Sequence, residues 1–137
     1  MKWIKLFEEF WDDIPELEIK ASNIKEAGQG LFTNVDIEVG DWIAEFTGEL
    51  ISDEVANKLE GSRGHYLVST DRGILDVFNS TSPAIKANDA RGTSFKNNSE
   101  IVEQNNGEVW LVATKRIMAG EEIFCDYGAD YWENWSA

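Results

Sequence analysis

The stretch GEEIFCDYGADYW, Gly120 to Trp132, decides how the rest of the chain is read. It reads as a strand running into a turn, Tyr127 stands at the corner, and Tyr131 and Trp132 follow within five residues. Two explanations fit such an ending. One is core packing, with a tyrosine at the end of a strand. The other is a narrow apolar channel with one placed hydroxyl.

The segments upstream also read as strands, and the first of them alternates apolar with polar residues. LEIKASNI from Leu17, AGQGLFTNV from Ala27 and DWIAEFTG from Asp41 read as strands separated by glycine turns. SDEVANKLEG is a helix candidate: Ser52 caps it, Asp53 and Glu54 suit its first turn, and Gly61 ends it. HYLVS and GILDVF are short strands around the turn TDRG, and Ser82-Pro83 opens one helical turn. SEIVEQ and EVWLVATK flank Asn105-Asn106-Gly107, and Asn-Gly between β-rich runs signals a hairpin. RIMAGEEIFCDY is a further turn and strand, and ADYWENW a closing helical turn. Residues 1–16 place Trp3, Phe7, Phe10, Trp11 and Ile14 at helical spacing, which predicts an amphipathic helix ended near Pro15. Its aromatics pack on the domain or form a homodimer contact. The fold class expected is mostly β with short helices. No linker, low-complexity segment or repeat stands out.

Composition narrows the function. The 137 residues suit one domain with a real core, and 42% are apolar. No apolar run approaches the ~20 residues of a membrane span, so no membrane partner is expected. Glu8, Glu9, Asp12 and Asp13 among the N-terminal aromatics argue against a secretory signal. Together with a single cysteine, Cys125, this predicts an intracellular protein, with nucleus and cytoplasm undecided. One cysteine and one histidine, His65, argue against a zinc cluster or any histidine-built metal site. A net charge of −14, from 12 basic and 26 acidic residues, disfavours direct nucleic-acid binding and suits a basic partner. Solubility alone also accounts for the charge.

Taken singly, the polar motifs are modest. Gly28-Gln29-Gly30 lets backbone pass close to a ligand or simply turns the chain. It opens a strand and lacks a third glycine, so it is no dinucleotide fingerprint, and a hairpin turn is the preferred reading. Asn88, Asp89, Asn97 and Asn98 offer donors and acceptors close together, but taken alone they are better read as turn chemistry.

Their order is more informative. Gly28-x-Gly30-Leu31-Phe32 comes first, then I-x-x-G-x-x-I-x-E-F-x-G over Ile37 to Gly48. Tyr66, Asn88 and finally G-E-E-I-x-x-D-Y-G over Gly120 to Gly128 follow. This series resembles the SET domain of protein lysine methyltransferases over residues 17–132, leaving 1–16 as the N-terminal helix and 133–137 as a tail. In size and in its DYGADYW ending it is most similar to the compact viral members, of the chlorella-virus histone methyltransferase type. The resemblance implies small β-sheets around a knot-like C-terminal crossing. It implies S-adenosyl-L-methionine as cofactor and a lysine of a basic, histone-like protein as substrate, hence a role in chromatin. Tyr127 would be the catalytic tyrosine, assisted by Tyr66. Gly28, Gln29, Gly30, Asn88, Asp89 and Trp132 would lie at the cofactor, and Tyr66 and Tyr131 along the lysine channel.

The chain departs from the family pattern in places. The family's Asn-His-Ser reads Asn88-Asp89-Ala90, the next asparagines, Asn97-Asn98, come later than usual and without a preceding proline, and the zinc-binding cysteines that often follow the domain are absent. The acid in place of histidine implies altered cofactor contacts, and with the late asparagines that lack their proline the chain is expected to build the crossing in a different way. The altered segment also supports an alternative: a catalytically silent SET module that binds a basic peptide or partner protein.

Overall fold

The computed structural model describes residues 16–59 and 66–128. The expected N-terminal helix, His65, Tyr131 and Trp132 lie outside them. The described residues hold three small sheets. The first has the order β1-β2-β9, from Leu17–Ala21, Gln29–Thr33 and Glu122–Ile123. The second has the order β10-β7-β8-β3, from Cys125–Asp126, Ser99–Glu103, Val109–Ala113 and Trp42–Glu45. The third has the order β4-β6-β5, from Glu49–Ile51, Gly73–Asp76 and Leu67–Thr70. Helical pieces among the described residues include α1, Asp53–Asn57, capped by Ser52, and a 3-10 turn at Pro83–Lys86, capped by Ser82. The mostly β architecture with short helices is the one the sequence predicts. None of the described helices is long and apolar enough to cross a membrane.

Local chemistry explains most of these elements. The β7–β8 hairpin closes on Asn105-Asn106-Gly107: the Gln104 amide donates to Glu108 at 2.7 Å and the Gly107 amide to Gln104 at 2.9 Å. The Asp71 amide of the β5–β6 turn donates to both carboxylate oxygens of Glu103 on β7, at 3.0 and 3.2 Å, tying the third sheet to the second. The sheets enclose a core in which Leu31, Leu111, Ile117 and Ile123 are fully buried. Each such side chain contributes about 1.5–3 kcal/mol relative to leaving it exposed.

The core is built on an internal repeat that the sequence reading missed. Leu31, Ile37, Gly40, Asp41 and Ile43 recur in the same spacing as Leu111, Ile117, Gly120, Glu121 and Ile123. Ile37 and Ile117 form an antiparallel bridge with mutual amide–carbonyl bonds of 2.7 and 2.9 Å. Around this centre the two copies exchange equivalent contacts. The Gly40 amide donates to Ala113, whose amide donates to Asp41, at 2.8 and 2.9 Å. In the second copy the Gly120 amide donates to Thr33, whose amide donates to Glu121, at 2.7 and 3.1 Å. Asp41 and Glu121 each close their own turn by accepting the amide three residues back, and Asp36 pairs with its counterpart Arg116 at 3.4 Å. Both glycines have positive φ, 88° and 94°, which only glycine adopts cheaply. The first copy's β2 thus pairs with β9 at the end of the second, and β3 at the end of the first pairs with the second copy's β8.

The strand expected over RIMAGEEIFCDY breaks at Phe124 and serves two sheets. β9 pairs antiparallel with β2, and β10 pairs parallel with β7. Between them Phe124 bridges Asn88 in parallel. The final strand therefore runs between the two arms of the 88–99 segment. Its Cys125 amide donates to Asn88 at 2.8 Å on one side, and its Phe124 carbonyl accepts from the Asn98 and Ser99 amides at 3.0 Å on the other. This is the knot-like crossing, and it brings Tyr127 beside Asp89.

Candidate active site

Three consecutive residues, Ala87-Asn88-Asp89, organise the site. The Tyr127 hydroxyl donates to the Ala87 carbonyl, and the Tyr127 amide donates to Asp89 Oδ2 at 3.0 Å. On the other side Asn88 Nδ2 donates to the Gln29 carbonyl at 2.9 Å. Gly28, Gln29, Asn88, Asp89 and Tyr127, distant in sequence, thereby form one hydrogen-bonded unit. Gly28 and Gln29 are exposed, Asn88 and Tyr127 half-buried, and Ala87 and Asp89 buried.

The glycine turn is a built feature. The Ser22 amide donates to Gly28 at 2.9 Å, and Gly28 itself sits at φ 76°. A Cβ at Gly28 would meet no atom within 4 Å, so this backbone borders open space. Gly30 differs: it is buried, and a Cβ there would run into the carboxylate of Glu122. Glu122 is only 3% exposed and accepts from the Ser22 hydroxyl at 2.6 Å and the Asn23 amide at 2.7 Å. The glycine at 30 thus lets a buried carboxylate hold the β1–β2 turn. Nothing in the sequence separates Glu122 from its neighbour Glu121, which is exposed and closes the Met118 turn.

Asp89 lies at the junction of the crossing. Its Oδ1 accepts from the Arg91 amide at 2.8 Å and from Asn97 Nδ2 at 2.9 Å, while Asn97 Oδ1 accepts from the Ala90 amide at 2.8 Å. Asn98 clamps the adjacent strand, its Oδ1 accepting from the Phe124 amide at 2.8 Å and its Nδ2 donating to the Glu122 carbonyl at 3.0 Å. The exposed Phe95 stacks on the buried Phe124, with ring centroids 5.2 Å apart. Turn chemistry alone therefore does not account for the asparagine cluster: it joins the 88–99 segment to the last strand. Behind it, burial pushes the Cys125 thiol well above its usual range, with Asp89, Asp126 and Glu100 adding to the shift.

Tyr66 stands apart from this unit. Its ring meets Phe78 edge-on, with centroids 5.2 Å apart and an interplanar angle of 86°, and its carbonyl accepts from Val77 at 2.9 Å. Both Tyr66 and Tyr127 pack against the same hydrophobic core. Phe78 and Ala87 were not read as site residues; Ala87 acts through its carbonyl, which no side-chain pattern reveals.

With the crossing, the glycine turn and the tyrosine corner in place, comparison with known proteins becomes specific. The family description of the SET domain matches residues 28–128. The chain belongs to the SET-domain family. The SET match begins at Gly28 and ends at Gly128, so it takes in the glycine turn, the Ala87-Asn88-Asp89 segment and Tyr127. Among curated proteins, the chain is similar to the histone-lysine N-methyltransferase EZH2 of Chaetomium thermophilum, at 29% identity over 122 residues. That similarity takes in 80% of this chain but spans only 8% of the relative's length.

Proposed function

We propose that this SET domain transfers a methyl group from S-adenosyl-L-methionine to a lysine side chain of a basic, histone-like protein. The observation that carries the reading is the bond from the Tyr127 hydroxyl to the Ala87 carbonyl, within a unit that also holds the Gly28-Gln29 turn. The name of the similar fungal protein and the chain's charge of −14 support the substrate class. The DYGADYW ending supports kinship with the compact viral SET enzymes.

The chemistry required is modest. Free lysine has a pKa near ~10.4 and arrives protonated. Desolvation among apolar and aromatic walls favours the neutral amine. Alignment of that amine then provides much of the acceleration. When bound, the cofactor would supply an electron-poor methyl on a sulfonium, with a neutral thioether as the leaving group, and water would take up the proton that the lysine sheds. Open, Cβ-free backbone at Gly28 beside the half-buried Asn88 fits the approach of such a ligand. In this reading Gly28, Gln29 and Asn88 lie along the cofactor, and Gly30 and Glu122 keep the turn in shape. A hydroxyl whose proton is engaged by a carbonyl serves a reacting centre as an acceptor. Tyr127 would accordingly hold the methyl through weak CH···O contacts and orient the amine. The Tyr66–Phe78 pair offers aromatic wall to the lysine and tolerates its methylammonium product through cation–π attraction.

The test is methyl transfer from labelled S-adenosyl-L-methionine to core histones, lysine peptide arrays and polyamines, with calorimetry of cofactor binding alongside. Label in a histone or peptide lysine is expected. Label in polyamines alone would redefine the substrate. No label and no saturable cofactor heat would replace the enzyme with a silent, peptide-binding SET module, the alternative that the altered Asn88-Asp89-Ala90 segment favours.

A further inference from the structure

The residue that departs most from the family, Asp89, has a geometry of its own. It is buried, and three N–H groups converge on its two oxygens: the Tyr127 amide on Oδ2, and the Arg91 amide and Asn97 Nδ2 on Oδ1. The orientation of Asn97 is fixed, because its own oxygen accepts from the Ala90 amide. Turning that amide round would set its NH2 against the Ala90 N–H. All three of these groups are donors, so each of the two Asp89 oxygens has to accept. An ionised carboxylate meets that requirement. A neutral imidazole carries one donor and one acceptor, and an imidazolium two donors, so the histidine usual in the family cannot satisfy this site. The late asparagine Asn97 and the acid at 89 belong together as one device.

We infer that Asp89 is a positioning residue for the Tyr127 phenol. Its carboxylate fixes the Tyr127 main chain, while Ala87, two residues before it, receives the hydroxyl of the same tyrosine. Tyr127 is thus held at its amide and at its phenol by one short segment, and that segment is locked in turn by Arg91 and Asn97. The inference rests on the reading of Tyr127 as the oxygen beside the reacting centre. It assigns Asp89 to that oxygen and leaves cofactor contact to Asn88 and the glycine turn.

The experiment is a double-mutant cycle on the full chain, using Asp89→Asn, Tyr127→Phe and the pair. Asparagine keeps the shape of aspartate but turns an NH2 toward at least one of the three donors. The expected result is a loss in kcat of about tenfold to a hundredfold, the scale of a small misplacement. Cofactor Kd should stay within about threefold of wild type, because the residue acts through the tyrosine. In the Tyr127→Phe background the same substitution should cost less than about threefold. Asp89→His, the family's own residue, should be as slow as Asp89→Asn. An equal loss in both backgrounds, or full activity of Asp89→His, overturns the inference. If Asp89→Asn fails to fold, Asn97→Ala takes its place in the cycle, since it loosens Asp89 and leaves Asp89 itself unchanged. If the wild type transfers no methyl to any substrate, the proposed function fails, and the positioning role is read from NMR of 13C-labelled tyrosine rings. Asp89→Asn should then shift the Tyr127 ring signals in the folded protein; unmoved signals overturn the role.

Discussion

The Tyr127 hydroxyl donates a hydrogen bond to the main-chain carbonyl of Ala87, a residue only 1% exposed. The contact joins the corner after the last strand to the segment that strand passes beside. It turns a surface corner into a fixed oxygen.

Gly30 is expected to tolerate no side chain. In Gly30→Ala the new Cβ would strike the Glu122 carboxylate and come within 3.1 Å of Ser22 Cβ. Glu122 is tied to Ser22 and Asn23, so it has little freedom to withdraw. Overpacking of this kind costs about 1–3 kcal/mol, measurable as a lower urea midpoint. In the proposed reading the distorted turn also weakens cofactor binding by calorimetry. A variant as stable as wild type would show that Glu122 moves freely.

The internal repeat makes a paired prediction. Gly40→Ala and Gly120→Ala both place alanine at positive φ with no neighbour within 4 Å, so only backbone strain is charged to each. Each should lose about 1–2 kcal/mol, and the two losses should agree within error in chemical denaturation. Markedly unequal losses would mean that the two turns do different work.

Cys125 predicts a response to alkali. Burial is the largest cause holding its thiol above the ordinary value of 9.0. The folded state therefore keeps a proton that the unfolded chain releases once pH passes about 9. Stability from this group is complete below that pH and is lost above it, at about 1.4 kcal/mol per pH unit, until the folded thiol also ionises. The stability advantage of wild type over Cys125→Ala should shrink between pH 8 and pH 10 on the same scale. An advantage that does not change with pH would mean that the thiol ionises equally in both states.

Charge makes a fourth prediction. With a net charge of −14, activity on a basic peptide should fall as salt rises. The loss should appear in KM and leave kcat largely unchanged. A flat KM from about 50 to about 300 mM salt would remove electrostatic steering from the account.

Much of this fold was legible in the sequence because turn chemistry is local. Ser52 and Ser82 cap the helical pieces, and Asn105-Asn106-Gly107 closes its hairpin, as their residue types indicate. Three features escaped for physical reasons. The repeat preserves only positions fixed by the core and by the two turns, while its exposed residues differ freely. The break at Phe124 cannot be seen in an apolar run, because either sheet would accept Ile123 or Cys125. Glu122 looks like an ordinary surface acid until the structure shows the hydroxyl and amide it receives, and Asp89 stands out in the sequence only as a departure from the family, not as the acceptor of three N–H groups. The order of motifs pointed to the family, yet only the geometry shows what the unusual acid at 89 holds.

The account stands most directly on methyl transfer by wild type and Tyr127→Phe, assayed side by side with labelled S-adenosyl-L-methionine and a lysine peptide. Losing the hydroxyl should cost about 1 kcal/mol of stability and leave cofactor Kd near wild type. It should lower kcat by about a hundredfold or more, the scale of removing one preorganised group at a reacting centre. A Tyr127→Phe protein that transfers methyl at the wild-type rate would contradict the placed-oxygen mechanism.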